Sequence, residues 1–522
     1  MSDRERWLYR GLLLAVLLLG AALRFVGLAS VPPGLSPDEA ANGYDAYSLA
    51  LTGRDQHGHL LPLVAASIND YRMPGFIYAA VPFVAAMGLS VTSVRLAAAV
   101  MGWLALPVVY RLGRRMFGPE AGLMATALLA LSPWHIPFSR MALEGTTVAL
   151  VAAASVAALW QWRGDRRWRW IWLAGALLGL SFYTYSIMKL FTPLLMGGLA
   201  LILWRDARAR PRQALALAAF VGLLALPMAW DTLNAPEFMQ ARYNQIAVFK
   251  PGRPLGEALG EALANVGAHL GPEFLFVRGD FDALHHPPGA GQLYWVQLPL
   301  VLAGVVGGLW DRRTRPATLA LLAWIAAALA PVALTQITLE GSGHSHRAIP
   351  MVVAWQLLSG VGVAVLVRWL RPRWRAALVI LITLATLAQA APYLHHYFTA
   401  YPGAVLARFD DGMPQAVRAM DALDDAYETV VFTDMASWPY LHILFFTRYD
   451  PRLLQTDLPA REPALFAPVT RVGKYHIGDV QAAYERLDHG LFVMPAWMLP
   501  GVEPLAVTTY STGEPAFKIV GK

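Results

Sequence analysis

The sequence contains no cysteine and only five lysines (Lys189, Lys250, Lys474, Lys518 and Lys522), and charged residues make up just 15% of it. Without thiols there is no disulfide framework and no Cys-ligated metal. An average soluble chain carries about 25% charged residues. A water-soluble enzyme of 522 residues is therefore excluded as the first reading. The scarcity of lysine leaves arginine to supply the formal charge of +7. Those arginines fall in short runs between apolar stretches rather than along one face, which argues against a nucleic-acid partner. No Gly-rich phosphate loop or Walker pattern appears, so no ATP-driven transport engine is visible. What is abundant is apolar surface. Apolar residues reach 57%, with 18 Trp, 19 Tyr and 21 Phe, and Trp and Tyr gather at membrane interfaces. This composition describes a polytopic α-helical membrane protein.

Apolar segments near 11–29, 96–110, 119–134, 146–162, 169–185, 190–204, 213–230, 293–310, 317–338, 348–370 and 376–392 read as about eleven transmembrane helices. A crossing needs about 20 residues, so the shorter segments must borrow flanking residues. Arginine clusters at Arg4–Arg10, Arg111–Arg115, Arg163–Arg169, Arg205–Arg212, Arg312–Arg315 and Arg371–Arg375 set the orientation. By the positive-inside rule all six face the cytoplasm, with the N-terminus. The parity holds only if Pro74–Leu89 does not cross. That stretch is short, contains Pro74, Gly75 and Pro82, and reads as an outer juxtamembrane helix. The basic head and apolar run at the N-terminus read as an uncleaved anchor. Residues 30–95 and 231–292 then form large outer loops within a membrane module, 1–392. Residues 393–522 form a small extracytoplasmic α/β domain, with β-like runs at Thr429–Phe432, His442–Phe446, Leu491–Met494, Leu505–Tyr510 and Phe517–Val520. Helix-like pieces lie at Gln415–Leu423 and Val480–Leu487.

Side chains with chemical potential concentrate in the outer segments. The first loop carries Ser36-Pro37-Asp38-Glu39, where Ser36 suits an N-cap and Pro37 the first helical turn. Acidic residues at a helix start are stabilised there whatever else they do. A carboxylate beside a bilayer can also act as a general base. Farther on come Gly53-Arg54-Asp55-Gln56-His57-Gly58 and Tyr71-Arg72-Met73-Pro74. After the third span lie Ser132-Pro133-Trp134-His135 and then Arg140 and Glu144, whose i,i+4 spacing also suits a plain ion pair. Tyr183-Thr184-Tyr185 and Lys189 follow the fifth span; Asp280, His285-His286 and His344-Ser345-His346-Arg347 come later. His-x-His supplies two metal ligands without a visible third. Ionisable groups near a membrane are expensive unless paired or used, and arginine suits phosphate bidentately.

These motifs, in this order, resemble the bacterial membrane glycosyltransferases of the GT-C superfamily, in particular protein O-mannosyltransferases and the aminoarabinose transferases that modify lipid A. The resemblance covers roughly residues 8–370. It implies a GT-C-like fold with outer juxtamembrane helices, and transfer of a sugar from a polyprenyl-phosphate donor to a lipid, glycan or protein acceptor at the outer face. It places the catalytic base on Asp38, with Glu39 beside it, and the donor phosphate on Arg72 and Lys189; Arg347, gathered with them at the outer plane, is a further cation for that phosphate. Arg140, Glu144, Asp55, His57, Tyr183, Tyr185, His344 and His346 are further site candidates. Some relatives carry a metal-binding Glu directly before the residue matching Arg72. Here that position is Tyr71, so a divalent metal is compatible but not required, and no other cofactor is implied.

A lipid-linked-sugar flippase would account for the spans and the cationic outer groups equally well. It would leave unexplained the large outer domain and the near absence of polar residues within the spans. A receptor or assembly scaffold would leave the first-loop carboxylates idle.

Overall fold

The computed structural model describes residues 3–67, 70–234, 241–336, 343–461 and 468–522. Side chains 67–71, Tyr71 among them, lie outside the description. Each of the eleven apolar segments contains a helix. Among the described residues, six helices are long and apolar enough to cross a membrane: Arg6–Phe25, Val91–Phe117, Pro211–Asn234, Arg315–Ala333, Ser345–Trp369 and Pro372–Thr399. Shorter apolar helices include Met188–Ile202 and Gln297–Trp310. The protein is a multi-pass membrane protein.

The chain divides into two compact units. The first comprises Met1–Val26, Ala99–Arg140 and Glu144–His396. Its central helix lies within Ser345–Trp369, buried over 89% of its apolar window; the Arg6–Phe25 window is buried over only 11%, as a lipid-facing helix should be. Helices Gln297–Trp310 and Val352–Trp369 approach closely because glycine sits at the contact. A Cβ on Gly304 would strike the Leu358 carbonyl, and one on Gly362 the Leu300 carbonyl. Small residues at such contacts replace the hydrophobic drive that lipid cannot supply.

The second unit comprises Gly27–Ala98, Met141–Leu143 and Tyr397–Lys522. The first outer loop therefore shares a unit with the C-terminal residues, a division different from the 1–392 and 393–522 split drawn from composition. The physical reason is a common core. Helix Pro37–Thr52 buries Ala40, Ala41 and Tyr44, and these pack with Phe76, Ile77 and Ala80 of helix Gly75–Met87 and with Leu441, Leu444 and Phe445. A Cβ on Gly43 would strike the Phe445 ring and Val94. The Tyr44 hydroxyl donates to the Tyr449 carbonyl at 2.9 Å.

Strands β1 (Ala65–Ser67) and β2 (Asp70–Arg72) form a small antiparallel pair. The C-terminal sheet contains β3 (Val430–Thr433), β4 (Ala460–Arg461), β5 (Val469–Val472), β6 (Tyr475–Gly478), β7 (Leu491–Pro495), β8 (Ala506–Thr509) and β9 (Pro515–Gly521). Their order is β4-β5-β6-β3-β7-β9-β8, with β3 parallel to both β6 and β7. All four residues of β3 are buried, as expected for a central strand covered on both faces. Val430 and Phe432 face the shared core, while Val431 faces Val480 and Ala483 of helix Val480–Arg486. The run His442–Phe446 is helix, not strand. Pro439 occupies the first turn of helix Pro439–Phe446, and a short apolar run buried on all sides carries no period to separate the two states.

Candidate functional site

In the second unit the site is organised by the start of helix Pro37–Thr52. Ser36 caps it, and Glu39 closes a reciprocal capping box with the Ser36 backbone N–H. Both Glu39 oxygens are occupied. Arg95 donates to them through Nε at 2.8 Å and Nη2 at 2.9 Å, and the Ala142 N–H donates at 3.0 Å. Neither side chain of the Glu39–Arg95 pair is exposed. Arg95 also donates to the carbonyls of Leu28, Pro32 and Gly34. Glu39 is thus a strut that fixes the loop entering the helix, with no lone pair turned to solvent.

Asp38 differs in every respect that matters for proton transfer. Its side chain is 54% exposed, and Arg72 Nη2 donates to Oδ1 at 2.6 Å. Arg72 Nη1 also donates to the Asp38 carbonyl at 3.1 Å and to Asn42 Oδ1 at 3.4 Å. Asn42 in turn donates to the Ala142 carbonyl at 2.8 Å. One turn on, Asp45 is fully buried and accepts from the Gln56 backbone N–H and Nε2. Burial raises its pKa to about 7; Asp55 pushes the same way, against the Gln56 hydrogen bonds and Arg72.

The Gly53–Gly58 stretch resolves into a cap and a turn. Gly53, at φ 68°, ends the helix in the left-handed region. The Asp55 carboxylate is buried and accepts from the N–H groups of His57 and His59 and from His59 Nδ1. It holds the turn together.

The remaining candidates lie in the first unit. Arg140 is buried and donates to the Leu23 carbonyl at 2.9 Å. Tyr183 donates to the Leu224 carbonyl at 2.8 Å. Tyr185 stacks on His346, with ring centroids 4.6 Å apart and planes at 7°. Lys189, in the first turn of helix Met188–Ile202, is half-buried, as are Glu144 and Arg347; Arg347 donates to the Gln336 carbonyl at 2.8 Å. His344 and His346 both lie 5.1 Å from the His285 ring but present their nitrogens differently. His344 gathers with Asp280 and His285, their ligand atoms all within 4.8 Å, whereas His346 Nε2 lies against Gly145.

Two arginines escaped the sequence reading as site-building residues. Arg24 is buried and donates to the carbonyls of Gly20, Leu129 and Ala130 and to His135 Nδ1. Burial and the Arg24 charge hold His135 well below its ordinary pKa, so the neutral ring can accept that bond. Arg95 lies inside helix Val91–Phe117, where a charge embedded in an apolar run was itself the signal.

A family profile described as dolichyl-phosphate-mannose-protein mannosyltransferase matches residues 73–230. ArnT from Cupriavidus metallidurans bound to undecaprenyl phosphate superposes with TM-score 0.59 at 14% identity, covering 99% of this chain and 98% of that one. The chain has the GT-C fold. The archaeal oligosaccharyltransferase from Archaeoglobus fulgidus, tethered to an acceptor peptide, shares that GT-C fold with TM-score 0.57 at 15% identity, covering 86% of this chain and 64% of that one. A complex of the same archaeal enzyme with Zn and sulfate gives 0.54 at 16% identity, covering 84% and 61%. No curated protein matches by sequence.

Proposed function

We propose that this protein is an integral-membrane glycosyltransferase. It moves a sugar from a polyprenyl-phosphate donor to an acceptor hydroxyl or amine at the outer face, with the C-terminal residues extracytoplasmic. The observation that carries the reading is the exposed Asp38 carboxylate held by Arg72 directly beside a buried, fully satisfied Glu39. The first is available to substrate; the second is not. Support also comes from the fold shared with ArnT in complex with undecaprenyl phosphate and with the archaeal enzyme in complex with dolichol-phosphate.

Asp38 takes the proton from the acceptor as its oxygen or nitrogen attacks the anomeric carbon. The bond from that carbon to the phosphate oxygen breaks, and the lipid phosphate leaves with the electron pair. One base and one displacement give inversion. Arg72 stabilises the growing phosphate charge, the kind of preorganised electrostatics that usually contributes most to catalysis. The same guanidinium binds Asp38 before the donor arrives. Donor phosphate therefore competes with the Asp38 carboxylate for Arg72. Lys189 and Arg347 belong to the proposal as further cations for the donor phosphate, each to be tested by replacement with alanine.

The test is reconstitution with a panel of polyprenyl-phosphate sugars. One of them should be consumed by the wild type, and Asp38→Asn should lose turnover while still binding polyprenyl phosphate. Near-normal turnover by Asp38→Asn removes Asp38 from the role, and consumption of no donor sinks the transferase reading.

A further inference from the structure

The second unexplained gathering of polar groups lies wholly within the first unit, between the loop following helix Leu255–Leu270 and the segment that opens the central helix. Asp280, His285 and His344 present ligand atoms that all lie within 4.8 Å of one another. His285 Nδ1 is 3.8 Å and His344 Nδ1 3.7 Å from Asp280 Oδ2. Both distances are too long for hydrogen bonds. Both Nδ1 atoms are buried, and neither has a hydrogen-bond partner among the described residues. A buried nitrogen left in that state costs about 1–3 kcal/mol, and two of them facing one carboxylate call for a common partner.

We propose that Asp280, His285 and His344 bind a divalent cation of the zinc type, which fastens the second outer loop to the segment carrying Arg347. Ligands about 2.0–2.1 Å from a tetrahedral zinc stand about 3.3 Å apart. The two carboxylate–imidazole spacings of 3.7 and 3.8 Å are within half an ångström of that, and the imidazole–imidazole spacing lies within 4.8 Å, so the rings close on the ion by rotation. Two imidazoles and one carboxylate with a fourth position open form a zinc-type donor set.

The carboxylate is oriented from outside, as metal-ligating carboxylates are, and the backbone carrying His344 is fixed. Asp280 Oδ1 accepts from the Asp282 N–H at 2.9 Å, and Oδ2 accepts from both the N–H and the hydroxyl of Ser345 at 2.7 Å. The His344 N–H donates to His269 Nε2 at 2.9 Å. The His285 ring stacks on Phe138 at 6.0 Å, with planes at 11°. Gly279, at φ 73°, precedes Asp280 where any Cβ would strike the Ala290 carbonyl and the His286 ring, so the loop's approach is specified by glycine.

The experiment uses the full chain in detergent, purified without a polyhistidine tag, stripped with chelator, reloaded with zinc chloride and desalted. Elemental analysis should find about one zinc per chain. The content should fall roughly tenfold or more in His285→Ala/His344→Ala and stay at the wild-type level in His346→Ala. If the double variant fails to fold, cobalt loading of the wild type decides instead. A tetrahedral cobalt spectrum that zinc abolishes supports the site. A wild type that retains no zinc, a double variant that retains as much as the wild type, or cobalt without that spectrum overturns it. The readout needs no sugar donor, so it stands or falls apart from the transferase reading.

Discussion

Two loop regions bury ionisable groups, and they satisfy them with different chemistry. In Gly27–Ala98 the buried Glu39 meets a guanidinium at hydrogen-bond distance and has nothing left to give. In the region of Asp280 and His344 the buried carboxylate meets two imidazole nitrogens at 3.7 and 3.8 Å, too far for either to hydrogen-bond it. A guanidinium in contact locks a carboxylate into the scaffold. A partner held at a distance leaves a place for a third body. The same contrast recurs on a smaller scale between Asp38 and Glu39, adjacent in sequence and opposite in accessibility.

The sharpest way to break that contrast is to neutralise each carboxylate or its partner in turn. Asp38→Asn should lower turnover about 100- to 10,000-fold, the range for a lost general base. Its melting temperature should move far less than its turnover, because Asp38 is 54% exposed and the amide oxygen that replaces its carboxylate can still accept from Arg72. A large loss of stability with little loss of turnover would invert the assignment. Arg95→Ala should do the reverse at the level of the fold. It strands a buried carboxylate, which costs about 3–5 kcal/mol, and should appear as early thermal unfolding and rapid proteolysis of the first loop. Wild-type unfolding by Arg95→Ala would show that Glu39 is not the strut described.

Asp45 separates the two behaviours by pH. Its folded pKa, about 7, lies above the ordinary 3.8. Below that lower value both folded and unfolded chains hold the proton. As pH rises from about 4 to about 7 the unfolded chain releases it first, so stability falls across that window, by a few kcal/mol at most. Asp45→Asn should flatten the decline, with Gln56, Asp55 and Arg72 as the neighbours it leaves in place. Superimposable pH profiles of melting temperature would refute this. The smallest effect is expected from Ser36→Ala, which removes one half of the capping box and should destabilise by about 1 kcal/mol.

Much of this was legible in the sequence because it depends on local physics. Apolar runs became helices, Ser36-Pro37 opened one, and Gly53 closed it, since hydrophobic length and backbone sterics act over a few residues. The illegible parts depend on partners far along the chain. Arg95 was set just outside a span starting at 96, because a charge at a helix start looks like a boundary until Glu39 is seen against it. His344 stands two residues from His346 in the sequence, yet the carboxylate it faces lies 64 positions earlier. Strands β5 and β6 carry Arg471 and His476 among their residues and lack the apolar run that marks β3 and β7.

The core shared by helix Pro37–Thr52 and the C-terminal residues has a consequence for biosynthesis. Tyr44 leaves the ribosome early, but its hydrogen-bond acceptor on Tyr449 is translated 405 residues later. Until then Ala40, Ala41 and Tyr44 have no Phe445 to cover them. Truncation near residue 396 would therefore leave the segment bearing Asp38 without the cover of Leu441, Leu444 and Phe445, however well the remaining helices inserted. The tail is better regarded as the final closing piece of the first loop than as an accessory.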